Sequence, residues 1–238
     1  MSNVSRITGT YIDTNIRSRN VRFFVKNIND HIQSFHYYGI FYEKEELEMI
    51  ENHFKPGDTF VDFGSNCGNH LLFVHHFLRP KEIIPFEVNP SAIEILRINI
   101  NINNCLNVDG SYLGLGVSDR DGRISVASTI DNNLGATCFR SDVAGSFLTI
   151  PGDRVLFDRP VNFIKIDLEG MEVDALTGIT QTIDRWRPKL LIEIQDHNLS
   201  PILNILETFD YELVDVFCRY GGMANYLFVS LRHPRGLQ

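Results

Sequence analysis

From residue 59 to residue 210 the sequence alternates short apolar runs with helical patterns, and few folds accommodate that rhythm. TFVDF (59–63), EIIPFEV (82–88), SYLGLGVSD (111–119), VNFIKID (161–167) and KLLIEIQ (189–195) have strand length and a largely apolar character. Strands covered by helices on both faces read this way. Between and after them, CGNHLLFVHHFL (67–78), NPSAIEILRINININN (89–104), GMEVDALTGITQTID (170–184) and SPILNILETFD (200–210) carry helical patterns. Asn89 before Pro90, and Ser200 before Pro201, each set a capping residue ahead of a proline at the first helical position. The expectation is an α/β fold with a mostly parallel sheet.

The end of the chain breaks the rhythm. YELVDVF (211–217) and NYLFVSL (225–231) are joined by CRYGGMA, too short for a parallel crossover and suited to a hairpin, so the last strand is expected to be antiparallel. Residues 1–54 read as an appendage: VRFFV (21–25) is a short strand, and EKEELEMIENHF (43–54) is an amphipathic helix stopped by Lys55-Pro56-Gly57-Asp58. Tyr38, Phe41, Tyr42 and Glu43 precede that helix, either as a lid over a ligand or as an aromatic cluster docking the leader. RISVAS (123–128) is an extra strand, and the polar stretch to about 160 reads as loop or insertion. One domain over 55–238, with its appendage, suits a chain of 238 residues.

A net charge of −8 argues against a nucleic-acid substrate, which calls for a basic stripe. No run reaches the ~18 apolar residues of a membrane span, and MSNVSRITGTYIDTNIRSRN lacks the apolar segment of a secretory signal. Cys67, Cys105, Cys138 and Cys218 are scattered without C-x-x-C spacing, which fits a reducing compartment and a cytoplasmic protein.

The chemistry centres on VDFGSNCGNH (61–70). Strand, Asp62-x-Gly64-Ser65-Asn66-x-Gly68, then helix puts the turn at the carboxyl end of a strand, where open α/β sheets bind ligands. Asp62 is placed to accept from a ligand's ammonium group. Asn66 either bonds a ligand carboxylate or stabilises a left-handed backbone position. Glu87 ends the next strand, where an acid receives ribose hydroxyls, with Val88 and Asn89 beside it. Asn66 also stands where a dinucleotide fingerprint needs its second glycine, which disfavours a pyrophosphate cofactor, and no P-loop motif is present. S-adenosylmethionine, with no phosphate and an amino acid tail, fits the turn.

KPGDTFVDFGSNCGNH (55–70), FEVNP (86–90), NFIKIDLEGMEVDALTGI (162–179) and LLIEI (190–194) resemble the FkbM-type family of S-adenosylmethionine-dependent methyltransferases, over about residues 55–195. K-I-D-x-E-G is the most specific of these features, and Ser65 stands where members frequently have alanine. The resemblance implies a Rossmann-like class I methyltransferase fold: a seven-stranded sheet, order 3-2-1-4-5-7-6, with the last strand reversed. It implies O-methylation of a sugar, glycan or secondary-metabolite hydroxyl. In that fold the adenine edge is read at the end of the third strand, here Ser118 and Asp119, although Asp119 in SDRDG equally forms a turn. The leader and residues 120–160 match poorly and are expected to shape the acceptor pocket.

Five residues are candidates for chemistry. Asp167 and Glu169 close the fourth strand, to hold the cofactor's methionine end, orient an acceptor hydroxyl, act as base or bind a divalent metal through oxygen. Glu169 alternatively serves the start of a helix. Lys165 shares the parity of Asp167, as an acceptor-side cation or an ion-pair partner. Glu193 is a carboxylate in a strand too apolar to bury one without use. His197, on the loop beyond, is the best-placed histidine for a general base; His70, His75 and His76 read as packing or surface residues. An RNA methyltransferase and a non-catalytic binding module on the same fold are the alternative readings.

Overall fold

The computed structural model describes residues 7–234; the first six residues of the appendage and the last four of the chain lie outside them. The leader forms a hairpin, β1 (Thr10–Ile16) and β2 (Arg19–Val25), then α1 (His31–Tyr37) and α2 (Lys44–His53). The β/α alternation follows as β3 (Thr59–Phe63), α3 (Asn69–Phe77), β4 (Glu82–Phe86), α4 (Pro90–Ile102) and β5 (Leu115–Ser118). Residues 120–160, expected as one strand and a loop, instead hold β6 (Gly122–Ile130), β7 (Asn133–Ser141), β8 (Phe147–Pro151) and α5 (Asp153–Leu156). The chain ends with β9 (Phe163–Ile166), α6 (Glu172–Thr177), α7 (Thr180–Trp186), β10 (Lys189–Gln195), α8 (Asp196–Thr208), β11 (Tyr211–Tyr220) and β12 (Met223–Ser230).

Among the described residues the central sheet has six strands in the order β11-β12-β10-β9-β3-β4. β4, β3, β9 and β10 are parallel, and β12 runs antiparallel to both β10 and β11, the reversed hairpin expected from the short CRYGGMA link. Alternate residues bury opposite faces. Val61, Phe63, Ile164 and Ile166 pack with Leu176, Ile179 and Ile202, whereas Phe60, Phe163 and Leu191 pack with Leu47, Ile50 and Leu71. Val21 and Phe23 of the leader belong to that second core. No helix among the described residues is long and apolar enough to cross a membrane.

Among the described residues the expected seven-stranded sheet is not found. β5 leaves it and joins a four-stranded sheet, β5-β8-β6-β7. Pro85 accounts for the break. On the outer edge of β4, Ile83 receives Asp109 N–H and donates to Asn107, both at 2.9 Å. Two residues on, the same edge offers Pro85, which has no N–H to continue the ladder. A second difference lies after β10: α8 starts at Asp196, so Pro201 falls inside the helix, not at its first position.

Candidate active site

The glycine turn takes its shape from the packing of Gly64 and the hydrogen bonds of Glu87. Gly64, at φ +83°, lies so close to the Asp167 carbonyl that a Cβ there would sit 1.9 Å from its oxygen. Only glycine fits a left-handed position with that neighbour. Asn66 adopts φ +46°, a region asparagine tolerates better than most residues. Its N–H donates to Glu87 Oε2 at 2.8 Å, while Glu87 Oε1 receives the N–H groups of Val88 and Asn89, each at 2.8 Å. Burial pushes the Glu87 carboxyl above its usual range, against these hydrogen bonds.

Beyond the turn opens a cavity of about 370 Å³. One end is walled by Phe86, Val88, Leu115, Val117, Met171 and Phe139. The β6–β7 hairpin closes it from above with Asn133 to Thr137, and its tip is fastened to the leader. His31 N–H donates to the Asn132 carbonyl at 2.7 Å, and Leu134 N–H to Asp30 Oδ2 at 2.9 Å.

The other end is acidic. Lys165 Nζ lies 3.0 Å from Asp167 Oδ2, 3.2 Å from the Gly64 carbonyl and 3.6 Å from Asp62 Oδ1. Burial works against the ammonium charge, but Asp167, Asp62 and Glu43 outweigh it and hold the group above its usual range. Carboxylate oxygens of Asp167, Glu169 and Glu193 lie within 4.8 Å of one another, a set able to chelate a hard divalent cation. Crowding of like charge and burial raise Glu169 and Glu193. Asp167, then burial, pushes Glu193 up to about 10. Burial, then Asp167, pushes Glu169 and Glu43 each up to about 8.

Ten of the expected residues line this cavity: Gly64, Ser65, Asn66, Glu87, Val88, Asn89, Lys165, Asp167, Glu169 and Glu193. Glu169 does not begin a helix. It sits at φ +51°, before α6, and Glu172 instead receives the Leu168 and Gly170 N–H groups at 3.2 and 2.8 Å. Asn89 both caps α4, accepting from Ser91 N–H at 3.0 Å, and faces the cavity.

Five expected residues stand outside the lining. Asp62 is fully buried behind Lys165, with neither carboxylate oxygen hydrogen-bonded. Burial raises its carboxyl, with Lys165 opposing. Gly68 caps α3. Ser118 is buried away from the cavity, and Asp119 pairs with Arg120 at 2.6 Å; Val117 and Leu115 line the wall in their place. His197 is not on a loop. The early start of α8 carries it onto the first turn of that helix, exposed to solvent.

Sequence reasoning also missed lining residues. His70, read as packing, faces the cavity, as do Tyr220 and Met223 from the terminal hairpin. Of the aromatic stretch before α2, Tyr42 and Glu43 reach the cavity, Phe41 packs on Phe23 and Phe73, and Tyr38 is exposed. His75 and His76 bond Asn107 and Asn103 away from the site.

Comparison with known proteins places this arrangement. Residues 62–213 match the family described as the methyltransferase FkbM domain. The hexuronic acid methyltransferase AglP of Haloferax volcanii is 25% identical over 146 residues, covering 59% of this chain and 58% of that protein. Methyltransferase 1 of Beauveria bassiana is 22% identical over 150 residues, covering 52% of this chain and 59% of that protein. The chain therefore spans less than two thirds of the length of the curated relatives it matches. A crystal structure of methyltransferase FkbM from Methylobacillus flagellatus KT shares the fold, with a TM-score of 0.53 and 19% identity over 82% of this chain and 52% of that one. The family match runs from the glycine turn through Glu87 to the strands carrying Asp167 and Glu193, and on this ground the chain belongs to the FkbM methyltransferase family.

Proposed function

We propose that the protein is an S-adenosylmethionine-dependent O-methyltransferase whose acceptor is a hydroxyl of a sugar, glycan or secondary metabolite. The observation that carries this is the Glu87 carboxylate, held by three backbone N–H groups at the rim of a glycine turn with no phosphate cradle. The donor set fits an adenosyl group: Glu87 for ribose hydroxyls, and Val88, Leu115, Val117 and Met171 for the base. Gly64, Ser65 and Asn66 would receive the methionine end. The bound donor supplies a sulfonium methyl, an electrophile already activated for in-line attack.

The remaining work is alignment. Positioning can supply ~7–11 kcal/mol of a barrier, against the ~10²–10⁴-fold typical of a general base. Near neutral pH, Glu43, Glu169 and Glu193 are protonated and able to donate hydrogen bonds to acceptor oxygens, while Asp167 stays paired with Lys165. That end of the cavity suits a polyhydroxyl ligand. AglP, by its name a hexuronic acid methyltransferase, supports a sugar acceptor. Residues 1–54 act in this reading as a clamp on the domain formed by 55–238. Four free thiols support a cytoplasmic setting.

Mass spectrometry of an acceptor panel incubated with isotope-labelled S-adenosylmethionine tests the proposal. Hexuronic acids, neutral sugars, phenolic metabolites, tRNA and rRNA form the panel. Methylation of a sugar or metabolite hydroxyl is the expected result. Methylation of RNA alone would replace the acceptor class, and calorimetry showing no binding of S-adenosylhomocysteine would overturn the enzyme.

A further inference from the structure

Tyr42 and Asn69 are joined by two hydrogen bonds, from Tyr42 N–H to Asn69 Oδ1 at 3.0 Å and from Asn69 Nδ2 to the Tyr42 carbonyl at 2.9 Å. This clamp sets the next residue of each segment side by side, with Glu43 Oε2 3.4 Å from His70 Nε2. Both side chains line the cavity and are nearly sealed, 15% and 7% exposed. The ring's Nε2 is buried with no hydrogen bond made, and the described residues offer no partner to Nδ1. Glu43 is held at φ 58° and ψ 51°, a left-handed conformation that costs a glutamate energy and recurs at functional positions. Tyr42 is itself fixed from both sides, by His31 Nε2 at 3.0 Å and by the Arg219 guanidinium over its ring.

We propose that Glu43 and His70 form a carboxylate–imidazole pair that takes the acceptor's proton in the methyl transfer proposed above, on which this inference rests. Once ionised, above about pH 8, the Glu43 carboxylate closes the 3.4 Å gap to receive Nε2–H and fixes the tautomer, which leaves the Nδ1 lone pair for the acceptor. The acceptor oxygen bonds to the methyl carbon as the carbon–sulfur bond breaks, its electron pair staying on sulfur. The hydroxyl proton moves to Nδ1. Glu43 stabilises the imidazolium until the proton passes to water with product release. Lys165 faces both groups, and Asp167, Glu46 and Arg219 also act on Glu43. Burial, then Lys165, keeps the resting ring neutral and disfavours the imidazolium, so the charge that forms depends on Glu43 for its stabilisation.

The test compares the full chain with His70→Gln, His70→Gly and Glu43→Gln. On the acceptor identified by mass spectrometry, His70→Gln is expected to lower kcat ~10²–10⁴-fold, with S-adenosylhomocysteine affinity unchanged by calorimetry. Added imidazole is expected to restore part of the turnover of His70→Gly, a rescue that a purely structural histidine would not show. Independently of any acceptor, long-range 1H–15N correlation spectra at pH 9 with S-adenosylhomocysteine are expected to show His70 neutral with its proton on Nε2, a preference weakened in Glu43→Gln. A His70→Gln protein that binds the cofactor product and turns over at the parent rate would overturn the pair alone, as would an Nδ1–H tautomer in the parent. Loss of S-adenosylhomocysteine binding by the parent would remove the underlying reaction as well.

Discussion

The backbone N–H of Asn66 reaches Glu87 Oε2 across 2.8 Å, tying the turn after β3 to the end of β4. One carboxylate thus shapes the turn and stands at the rim of the cavity, so its removal should be felt twice. Glu87→Ala is expected to weaken S-adenosylhomocysteine binding by about 10–100-fold, the loss of ~1.5–3 kcal/mol typical of hydrogen bonds to a charged group. Calorimetry checks this, and unchanged affinity would remove Glu87 from the binding site.

Gly64 admits no side chain. With φ at +83° and the Asp167 carbonyl 1.9 Å from any Cβ, Gly64→Ala must displace either the turn or the end of β9. We expect a loss of at least ~2 kcal/mol, the strain of the φ region adding to the clash. Thermal denaturation measures it, with the neighbouring Ser65→Ala, a change that removes only the hydroxyl bond to the Asp62 carbonyl, as the mild control.

Glu193 should leave a mark on the pH dependence of stability. Its folded carboxyl is raised from an ordinary value of 4.5 to about 10, by Asp167 first and burial second. The folded state therefore binds a proton that the unfolded chain has released. Stability from this group is full below about pH 4.5 and falls as pH rises toward 10. Glu193→Gln keeps the neutral form at every pH, so its melting temperature relative to the parent should climb between pH 6 and pH 9. A constant difference across that range would show that Glu193 titrates normally.

The two ends of the cavity should respond differently to chelation. The cradle of Gly64, Asn66 and Glu87 contains no oxygen of the Asp167, Glu169 and Glu193 set. S-Adenosylhomocysteine affinity is accordingly expected to be the same with EDTA as with added magnesium. A chelator-sensitive affinity would mean that a cation bridges both ends.

The four parallel strands, the reversed last strand and the glycine turn were readable because their signals are local. Apolar runs, capping pairs and turn glycines report burial and backbone geometry within a few residues of themselves. Pro85 was passed over: a proline within a strand marks an edge, yet the expected seven-stranded order sets EIIPFEV inside the sheet. Other features depend on distant partners. β6 and β7 carry mostly polar, part-exposed residues, and their tip is fixed by Asp30, far away in the chain. Helical spacing buries His70 without saying that a cavity, rather than another side chain, lies opposite. Glu43 gives no sign of its left-handed backbone, which the clamp between Tyr42 and Asn69 imposes. His197 was misplaced because its helix begins four residues before Ser200, directly after β10.

Pro85 has a further result. By interrupting the ladder at the rim of the main sheet, which resumes only where Gly114 N–H reaches the Glu87 carbonyl at 2.8 Å, it releases the chain to build a roof on a scaffold of its own. Floor and roof then share a chamber without sharing a ladder, and the hairpin above can lengthen, shorten or change composition while the glycine turn beneath keeps its geometry.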